Sequence, residues 1–225
     1  FQDPSSSLNP LLRIGSQVAE SLRAHGTTDG LHDRVVALLR QVGLPDPERA
    51  AMAYPHELSG GQRQRVMIAA AIANHPRLLL ADEPTTALDV TVQAQILALL
   101  QALKQAEGGM GMVFVTHNLA VVAEIADRVA VMYAGEVVEE GPAAEVLAAP
   151  RHPYTAALIA STPEGDAARL SAIPGTVPQP WAMPPGCRFA PRCAMAQPAC
   201  EAAAPALAEV GPRRTARCLR WKEVA

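Results

Sequence analysis

The sequence is short of lysine, aromatic residues and long apolar runs, and each shortage excludes a class of structure or function. Only two of the 225 residues are lysine, Lys104 and Lys222, and neither completes the glycine-rich phosphate-binding loop G-x-x-x-x-G-K. Aromatic residues make up 4% of the chain, so its core must be mainly aliphatic. No apolar run approaches the roughly 18 residues that cross a bilayer. The formal net charge of −3 argues against a general nucleic-acid binder.

The chain opens on Phe1-Gln2 rather than on methionine, and no signal-peptide pattern follows. We interpret these two residues as the end of a strand already in progress. We therefore expect the chain to be a fragment whose upstream part is absent, from a protein that is cytosolic or peripheral to a membrane.

Apolar periodicity predicts an α/β core with a mostly parallel sheet. Two short apolar runs, at 78–81 and 112–115, are typical of buried parallel strands. Further strands are predicted at 128–133 and 136–140, joined by a turn at Ala134-Gly135. Helical spacing predicts helices at residues 14–25, 31–42, 47–52, 60–74, 90–106 and 118–126.

The composition changes after Pro150, since most of the prolines and all four cysteines follow it. We place a boundary near Thr162. The prediction is a large α/β domain over residues 1–161 and a small, loop-rich extension over residues 162–225.

The run Leu58-Ser59-Gly60-Gly61-Gln62 predicts the start of a helix that can bind a phosphate. Ser59 is a candidate N-cap, and Gln62 three residues later completes a capping-box pattern. Free amides and the helix dipole favour an anion at such a position, and glycines let it approach the backbone closely. Taken alone, the run also fits a glycine-rich helix start without a ligand.

Two carboxylates follow the strand predicted at 78–81, and a histidine ends the strand predicted at 112–115. Asp82 is placed to hold Mg²⁺ through water, and Glu83 to polarise an attacking water. If the two strands are neighbours, Glu83 and His117 face one crevice at their carboxyl ends, where open α/β sheets bind ligands. The alternative for the acidic pair alone is a strand-to-turn cap.

The four cysteines follow the spacing C-x5-C-x6-C-x17-C. Cys187, Cys193, Cys200 and Cys218 favour a metal over disulfides if the chain is cytosolic. No C-x2-C pair of the usual zinc sites occurs, whereas four thiolates on a loose loop can hold a [4Fe–4S] cluster. Zinc and unligated thiols remain the alternatives, and a structural role is favoured over a redox sensor.

The order and spacing of these motifs resemble the ATP-binding cassette (ABC) ATPase family over residues 1–147. The resemblance implies a RecA-like P-loop NTPase core, here truncated at its N-terminus, with a helical signature subdomain at about residues 8–74. It assigns Glu83 and His117 to catalysis and Asp82 with Gln2 to Mg²⁺. It also implies a set of nucleotide-binding residues from the Q-loop, signature, Walker B strand and D-loop: Gln2, Leu58, Ser59, Gly60, Gly61, Gln62, Asp82 and Asp89.

The opening Phe-Gln-Asp-Pro, the block His152-Pro153-Tyr154-Thr155 and the tail around Cys187 resemble the oligopeptide and dipeptide importers. This subfamily implies an ATPase that uses ATP and Mg²⁺ and is peripheral to the cytoplasmic face of the bacterial inner membrane. The implied partners are a second cassette (identical or different), two transmembrane permease subunits and, indirectly, an extracytoplasmic solute-binding protein. In some members the tail pattern is associated with a [4Fe–4S] cluster.

Without a P-loop lysine, the 225-residue chain alone is predicted to lack ATPase activity. The alternative function is a non-catalytic regulatory or Fe–S-binding remnant of a cassette. An ABC ATPase of DNA repair or translation is disfavoured, because neither coiled-coil arms nor a second cassette are evident. The sequence does not choose the transported solute.

Overall fold

The computed structural model describes residues 7–86, 88–106, 109–162 and 172–224. It divides into two compact units, Phe1–His117 and Asn118–Ala225, which are described separately. The helices and strands of the first unit, in chain order, are α1 (Ile14–Arg23), α2 (Leu31–Gln41), α3 (Pro47–Met52), α4 (Gly60–Ile72), β1 (Leu78–Asp82), α5 (Val90–Gln105) and β2 (Gly111–Val115). Those of the second are α6 (Leu119–Ile125), β3 (Arg128–Tyr133), β4 (Glu136–Pro142), α7 (Ala143–Ala148), α8 (Pro153–Ala160), α9 (Pro198–Ala202), β5 (Ala208–Gly211) and β6 (Arg214–Ala216).

The helices of the first unit form because their apolar residues recur at helical spacing and their ends are capped. In α1 the buried residues are Ile14, Val18, Ala19 and Leu22, which share one face. Helix α3 begins where the Asp46 carboxylate accepts the backbone N–H of Arg49, and Pro47 occupies its first position. The faces of α1, α2 and α4 pack together into one aliphatic core. The predicted helices are therefore confirmed, with ends that differ by a few residues.

Strands β1 and β2 are parallel neighbours, in a register that runs from Leu78 opposite Gly111 to Asp82 opposite Val115. One face of the pair packs on the helical core through Leu79, Met112 and Phe114. The opposite face is exposed, since the fractional exposure of Leu78 is 54% and that of Leu80 is 67%. The prediction that these strands are buried on both faces is wrong for this face, because no described residue covers it.

The second unit is built on a four-stranded antiparallel sheet in the order β3-β4-β6-β5. The predicted turn between β3 and β4 is confirmed, with positive φ at both Ala134 and Gly135 as a two-residue hairpin turn requires. Strand β6 pairs with β4 through Glu139 and Glu140. Strands on both sides of residue 162 therefore share one sheet, while the domain boundary drawn there stays a prediction.

Aromatic rings fill the core of the second unit. The Phe189 ring lies 5.2 Å from that of Tyr133 and 5.4 Å from that of Tyr154, and the two tyrosine rings are 4.7 Å apart. Such tilted and edge-on pairs add to the stability that burial alone provides. Among the described residues, none of the helices combines the length and the apolar character that a membrane span requires.

Candidate functional site

The first turn of α4 carries the predicted signature residues, and local hydrogen bonds hold them in place. The Ser59 hydroxyl accepts the backbone N–H of Gln62 at 3.3 Å, and the Gln62 side chain accepts the backbone N–H of Ser59 at 2.9 Å. This reciprocal pair is the predicted capping box. Leu58 precedes it and packs against the aliphatic core. The positive end of the α4 dipole is therefore presented by a fixed, partly exposed turn.

The two signature glycines face the segment that leads into α5. A Cβ added to Gly61 would lie 2.5 Å from Val92 Cγ1, whereas one added to Gly60 would meet only Leu88 Cδ2 at 3.8 Å. A side chain at position 61 would therefore clash with Val92, so packing alone requires glycine there, whether or not a phosphate approaches the backbone. The sequence pattern gave no signal of the Val92 contact.

Asp89, predicted to bind nucleotide, caps α5 in the structure. Its carboxylate oxygen accepts the backbone N–H of Val92 at 2.9 Å. The carboxylate thereby satisfies one of the free amides of the first turn of α5. Its role in binding nucleotide stays a prediction.

Glu83 and His117, predicted to be catalytic, meet at the carboxyl ends of β1 and β2. His117 Nδ1 lies 3.0 Å from Glu83 Oε1, and the backbone N–H of Glu83 donates to the Val115 carbonyl at 3.0 Å. The parallel register explains the meeting, because it aligns the last residues of the two strands. The His117 side chain is 76% exposed, against 23% for Glu83. The imidazole is thus accessible to a ligand while the carboxylate is held.

Thr86 is a neighbour of Glu83 that the sequence reasoning missed. Its hydroxyl donates to Glu83 Oε2 at 2.9 Å, so the two carboxylate oxygens contact different side chains. The backbone of Glu83 has a positive φ of 43°, uncommon outside glycine, which turns the chain sharply after β1. The spacing of three residues between Glu83 and Thr86 is the only sequence signal for this contact.

Asp82 ends β1 on its exposed face, as a ligand for a solvated cation would require. Mg²⁺ is usually held by one or two carboxylates together with water and substrate phosphates, so a single exposed carboxylate fits such a role. Gln2, its predicted partner in binding Mg²⁺, lies outside the described residues. Within the described ranges, no three His, Cys, Asp or Glu side chains are grouped closely enough to hold a metal ion.

The four predicted metal-binding cysteines line one small cavity in the second unit, of about 20 Å³. The backbone N–H of Arg220 donates to Cys218 Sγ at 3.3 Å. Bonds of this kind stabilise a charged thiolate sulfur. Thiolates are the donors that thiophilic metals prefer, but the described cysteines are not grouped closely enough to hold a metal ion, and the cavity has room for only about one water-sized particle.

Burial raises the pKa of three of these thiols. The pKa of Cys218 is raised to about 11, chiefly by desolvation and further by the neighbouring thiols, and the pKa values of Cys187 and Cys193 shift in the same direction. Without a metal the protonated thiol is therefore the favoured form at neutral pH, and such thiols react slowly.

His152 lies beside the cysteine cavity and has a structural role. Its Nδ1 accepts the backbone N–H of Tyr154 at 3.1 Å and caps α8. Desolvation lowers its pKa to about 4, so the ring is neutral at pH 7. The backbone N–H of His152 donates to the carboxylate of Glu139, which also pairs with Arg214 at 2.7 Å. This buried network connects the His-Pro-Tyr-Thr block to β4 and β6.

Two protein families match parts of the chain. The family described as "ABC transporter" matches residues 1–86, and the family described as "Oligopeptide/dipeptide transporter, C-terminal region" matches residues 138–200. The first match covers the signature and the Asp82-Glu83 pair, and the second covers three of the four cysteines.

Curated relatives match nearly the whole chain. A peptide import ATP-binding protein of Brucella ovis is 57% identical over 235 residues, which cover 100% of this chain and 69% of that protein. The dipeptide transport ATP-binding protein DppD of Escherichia coli is 51% identical over 222 residues, which cover 97% of this chain and 68% of that protein. The chain thus spans about two thirds of the length of these relatives.

Solved structures show the same fold. The ATP-binding cassette MJ0796, in a dimeric post-hydrolysis state bound to ADP and phosphate, superposes with a TM-score of 0.55 and 37% identity, over 64% of this chain and 61% of that one. A second dimeric structure of the same cassette gives a TM-score of 0.53 and 38% identity. The fold is therefore the α/β fold of an ABC cassette, a P-loop NTPase, and the chain belongs to the ABC transporter family of peptide import ATP-binding proteins.

Proposed function

We propose that the chain is the ATP-binding and ATP-hydrolysing part of a bacterial ABC importer for dipeptides or oligopeptides. The observation that carries this is the contact between Glu83 and His117, 3.0 Å apart at the carboxyl ends of two parallel strands. It is supported by the relatives named for peptide import and by the matching C-terminal family. The alternative of a non-catalytic remnant cassette has no support from these relatives.

Each site residue then has a chemical role that its position permits. Glu83 orients the attacking water and accepts its hydrogen bond, while Thr86 and His117 hold the carboxylate in place. The exposed imidazole of His117 contacts the γ-phosphate. Asp82 would help to hold Mg²⁺, and the ion would neutralise phosphate charge. Gln2 is proposed to complete this magnesium site.

The signature acts on a nucleotide held mainly by a second cassette. Ser59 and the amides of the first turn of α4 approach its γ-phosphate, and the fixed capping box presents them without a further ordering cost. Leu58, Gly60, Gly61 and Gln62 support this turn, and Asp89 belongs to the loop beside it. Two cassettes, identical or different, thereby pair head to tail with ATP between them.

The decisive test is ATP-dependent association with a P-loop-containing cassette of the same family whose own signature has been disabled. The chain should form a heterodimer with it only when ATP is present, as measured by sedimentation. Ser59→Asp keeps a good helix cap but places a negative charge against the phosphate, so association should be lost. The neutral cap variant Ser59→Asn is the control and should still associate. Association that is the same with and without ATP would contradict the proposal.

A second measurement concerns hydrolysis by the 225 residues alone. They contain no P-loop lysine, so phosphate release from Mg-ATP should equal that of a Glu83→Gln variant. Turnover above this control would show that the described site needs no P-loop.

The partners proposed are two transmembrane permease subunits and, indirectly, an extracytoplasmic solute-binding protein. The cassette would then lie peripherally on the cytoplasmic face of the inner membrane. Co-expression with the permease subunits tests this, because the chain should sediment with membranes only when they are present. No nucleic-acid partner is proposed.

We also propose the domain organisation that the sequence predicts. A partial cassette domain spans residues 1–161, with a helical signature subdomain at about residues 8–74, and an importer-specific extension spans residues 162–225. The shared core of α1, α2 and α4 supports the subdomain. Limited proteolysis checks the boundary, since cleavage should concentrate near residue 162.

We propose that the four cysteines hold a thiophilic metal centre, with a [4Fe–4S] cluster as the form to test first. The observation behind it is that all four cysteines line one cavity and that the backbone N–H of Arg220 donates to the Cys218 sulfur. Because the described cysteines are not grouped closely enough to hold a metal ion, either a cluster or a single Zn²⁺ would require the surrounding loops to rearrange. Iron, acid-labile sulfide and zinc, measured per chain after anaerobic isolation, separate these two forms from unligated thiols.

A further inference from the structure

The signature turn at the start of α4 packs against the segment that carries Asp89. A Cβ added to Gly60 would meet Leu88 Cδ2 at 3.8 Å, and one added to Gly61 would lie 2.5 Å from Val92 Cγ1. Leu88 and Val92 lie on either side of Asp89, the residue that caps α5. The starts of α4 and α5 are therefore neighbours in the first unit.

Arg65 joins the same two helices further along. Its Nη2 donates to Gln95 Oε1 at 3.2 Å. Arg65 follows Gly61 by four residues on α4, and Gln95 follows Val92 by three residues on α5, so this bond lies about one helical turn beyond the signature contact. The contacts advance in the same direction along both helices, and the Arg65 bond therefore determines how α4 and α5 are aligned.

The same guanidinium holds the end of α2. Arg65 Nη1 donates to the Val42 carbonyl at 2.6 Å, at the C-terminus of α2, where helix carbonyls have no partner inside the helix. Gly43 follows with a φ of +75°, and a Cβ there would lie 2.9 Å from Arg65 Nη1, so glycine leaves room for the guanidinium. Because the guanidinium holds its N–H donors in a rigid planar fork, the two bonds fix α2, α4 and α5 relative to one another.

We propose that Arg65 is a positioning residue of the nucleotide site shared by two cassettes, because it aligns the signature turn with the start of α5. The inference rests on the function proposed above, in which the signature faces a nucleotide held by a second cassette and Asp89 belongs to the loop beside it. Arg65 acts through the two helices and not by contact with the nucleotide. Without its bond to Gln95, the two helix starts are no longer held in the alignment that the second cassette requires.

The test is ATP-dependent association of the full 225-residue chain with the P-loop-containing cassette described above, measured by sedimentation beside the thermal unfolding of each variant. Gln95→Ala removes the acceptor at an exposed helix position, where alanine is well tolerated, so its stability should equal that of the wild type. Its association should be weaker by about 2- to 30-fold, the range found for residues that couple two sites. Gln101→Ala is the matched control, since it changes the same residue type six positions further along α5, and it should associate like the wild type.

Two further variants separate positioning from stability. Gln95→Glu keeps an acceptor oxygen for Arg65 and should associate like the wild type. Arg65→Lys keeps the charge but lacks the fork that makes both bonds at once, so it should weaken association at least as much as Gln95→Ala. The double variant should lose no more than Arg65→Lys alone, because both substitutions remove the same contact.

The outcomes separate the two proposals. If the wild type does not associate, or associates equally with and without ATP, the proposed function is overturned and the role of Arg65 with it. If the wild type and Gln95→Ala associate equally in ATP, the proposed function stands and the role of Arg65 is overturned. A loss of association that Gln95→Glu shares, or that follows an equal loss of thermal stability, would make the contact purely structural and would also overturn this role.

Discussion

The polar groups of the two units differ in exposure and in the range of their partners. At the candidate nucleotide site of the first unit, the His117 side chain is 76% exposed, and Ser59 and Gln62 bond within a single helical turn. In the second unit, the ion pair of Glu139 and Arg214 has side-chain exposures of 0% and 6% and joins residues 75 positions apart.

This difference separates groups that hold the fold from groups that are available to a ligand. Buried charges require their partners, because an unpaired charge in a low dielectric is costly. Exposed groups with local partners contribute little to folding and can exchange those partners for a phosphate. Substitutions of the buried charges in the second unit should therefore destabilise the fold far more than substitutions at the exposed candidate nucleotide site of the first unit.

The largest expected effect is at Glu139, and the chain provides a matched control in the adjacent residue. Glu139→Gln leaves the Arg214 cation buried without its counter-charge and should lower the free energy of unfolding by about 3–5 kcal/mol. Glu140→Gln removes a partner of Arg128 from an exposed pair, with side-chain exposures of 36% and 41%, and should cost at most about 1 kcal/mol. Urea unfolding followed by circular dichroism measures both.

Equal losses for the two variants would remove the distinction between buried and exposed charges on which the comparison of the two units depends. The double variant Glu139→Gln with Arg214→Met extends the test, because removing both charges should restore part of the lost stability. If the double variant is as unstable as Glu139→Gln alone, the two side chains stabilise the fold through packing and not through their charges.

The second effect is a pH dependence due to His152, which is neutral and 1% exposed in the folded chain. Its pKa is about 4 when folded and about 6.5 when unfolded, so between these values the unfolded chain binds the extra proton. Stability should fall as the pH is lowered from 6.5 to 4, by about 3 kcal/mol in total, and this contribution should level off below pH 4.

The His152→Asn variant isolates this contribution. Asparagine can still accept the backbone N–H of Tyr154 as a helix cap but does not titrate. The difference between wild-type and variant stability should therefore change between pH 6.5 and pH 4. A difference that stays constant over this range would contradict a buried neutral histidine.

Sequence reasoning succeeded where the determining interactions are local. The capping box of Ser59 and Gln62 depends on residues three apart, and the apolar spacing of α5 depends on a single helical face. The meeting of Glu83 and His117 could also be expected, because it needs only that two apolar runs form adjacent parallel strands.

Sequence reasoning failed where the burial of a residue is determined by residues distant in the chain. Glu139 and Glu140 are adjacent and chemically alike, and only the pairing of β4 with β6 determines which one is buried. The exposure of Leu78 and Leu80 could not be predicted from their apolar character, since burial depends on which layers cover the sheet.

The third effect tests whether the signature glycines serve packing within the first unit. Gly61→Ala places a Cβ 2.5 Å from Val92 Cγ1 and should cost about 1–3 kcal/mol, because valine is stiff and has to shift. Gly60→Ala meets only ordinary contact at 3.8 Å and should be neutral or slightly stabilising, since alanine favours a helix. Thermal unfolding compares the two, and Val92→Ala should rescue Gly61→Ala by removing the clash. If Val92→Ala does not restore the stability of Gly61→Ala, the lost stability does not come from the clash with Val92.

The smallest effect concerns Ser59, where the structural and the functional role can be separated. Ser59→Ala loses the cap and should cost about 1 kcal/mol, whereas Ser59→Asp keeps a cap and should be nearly as stable as the wild type. If the exposed turn at Ser59 binds a phosphate, ATP-dependent association should rank the two variants in the opposite order to stability. The stable Ser59→Asp should then bind far worse than the less stable Ser59→Ala, because its carboxylate repels the γ-phosphate. An association that followed stability in both variants would mean that Ser59 serves only to begin α4.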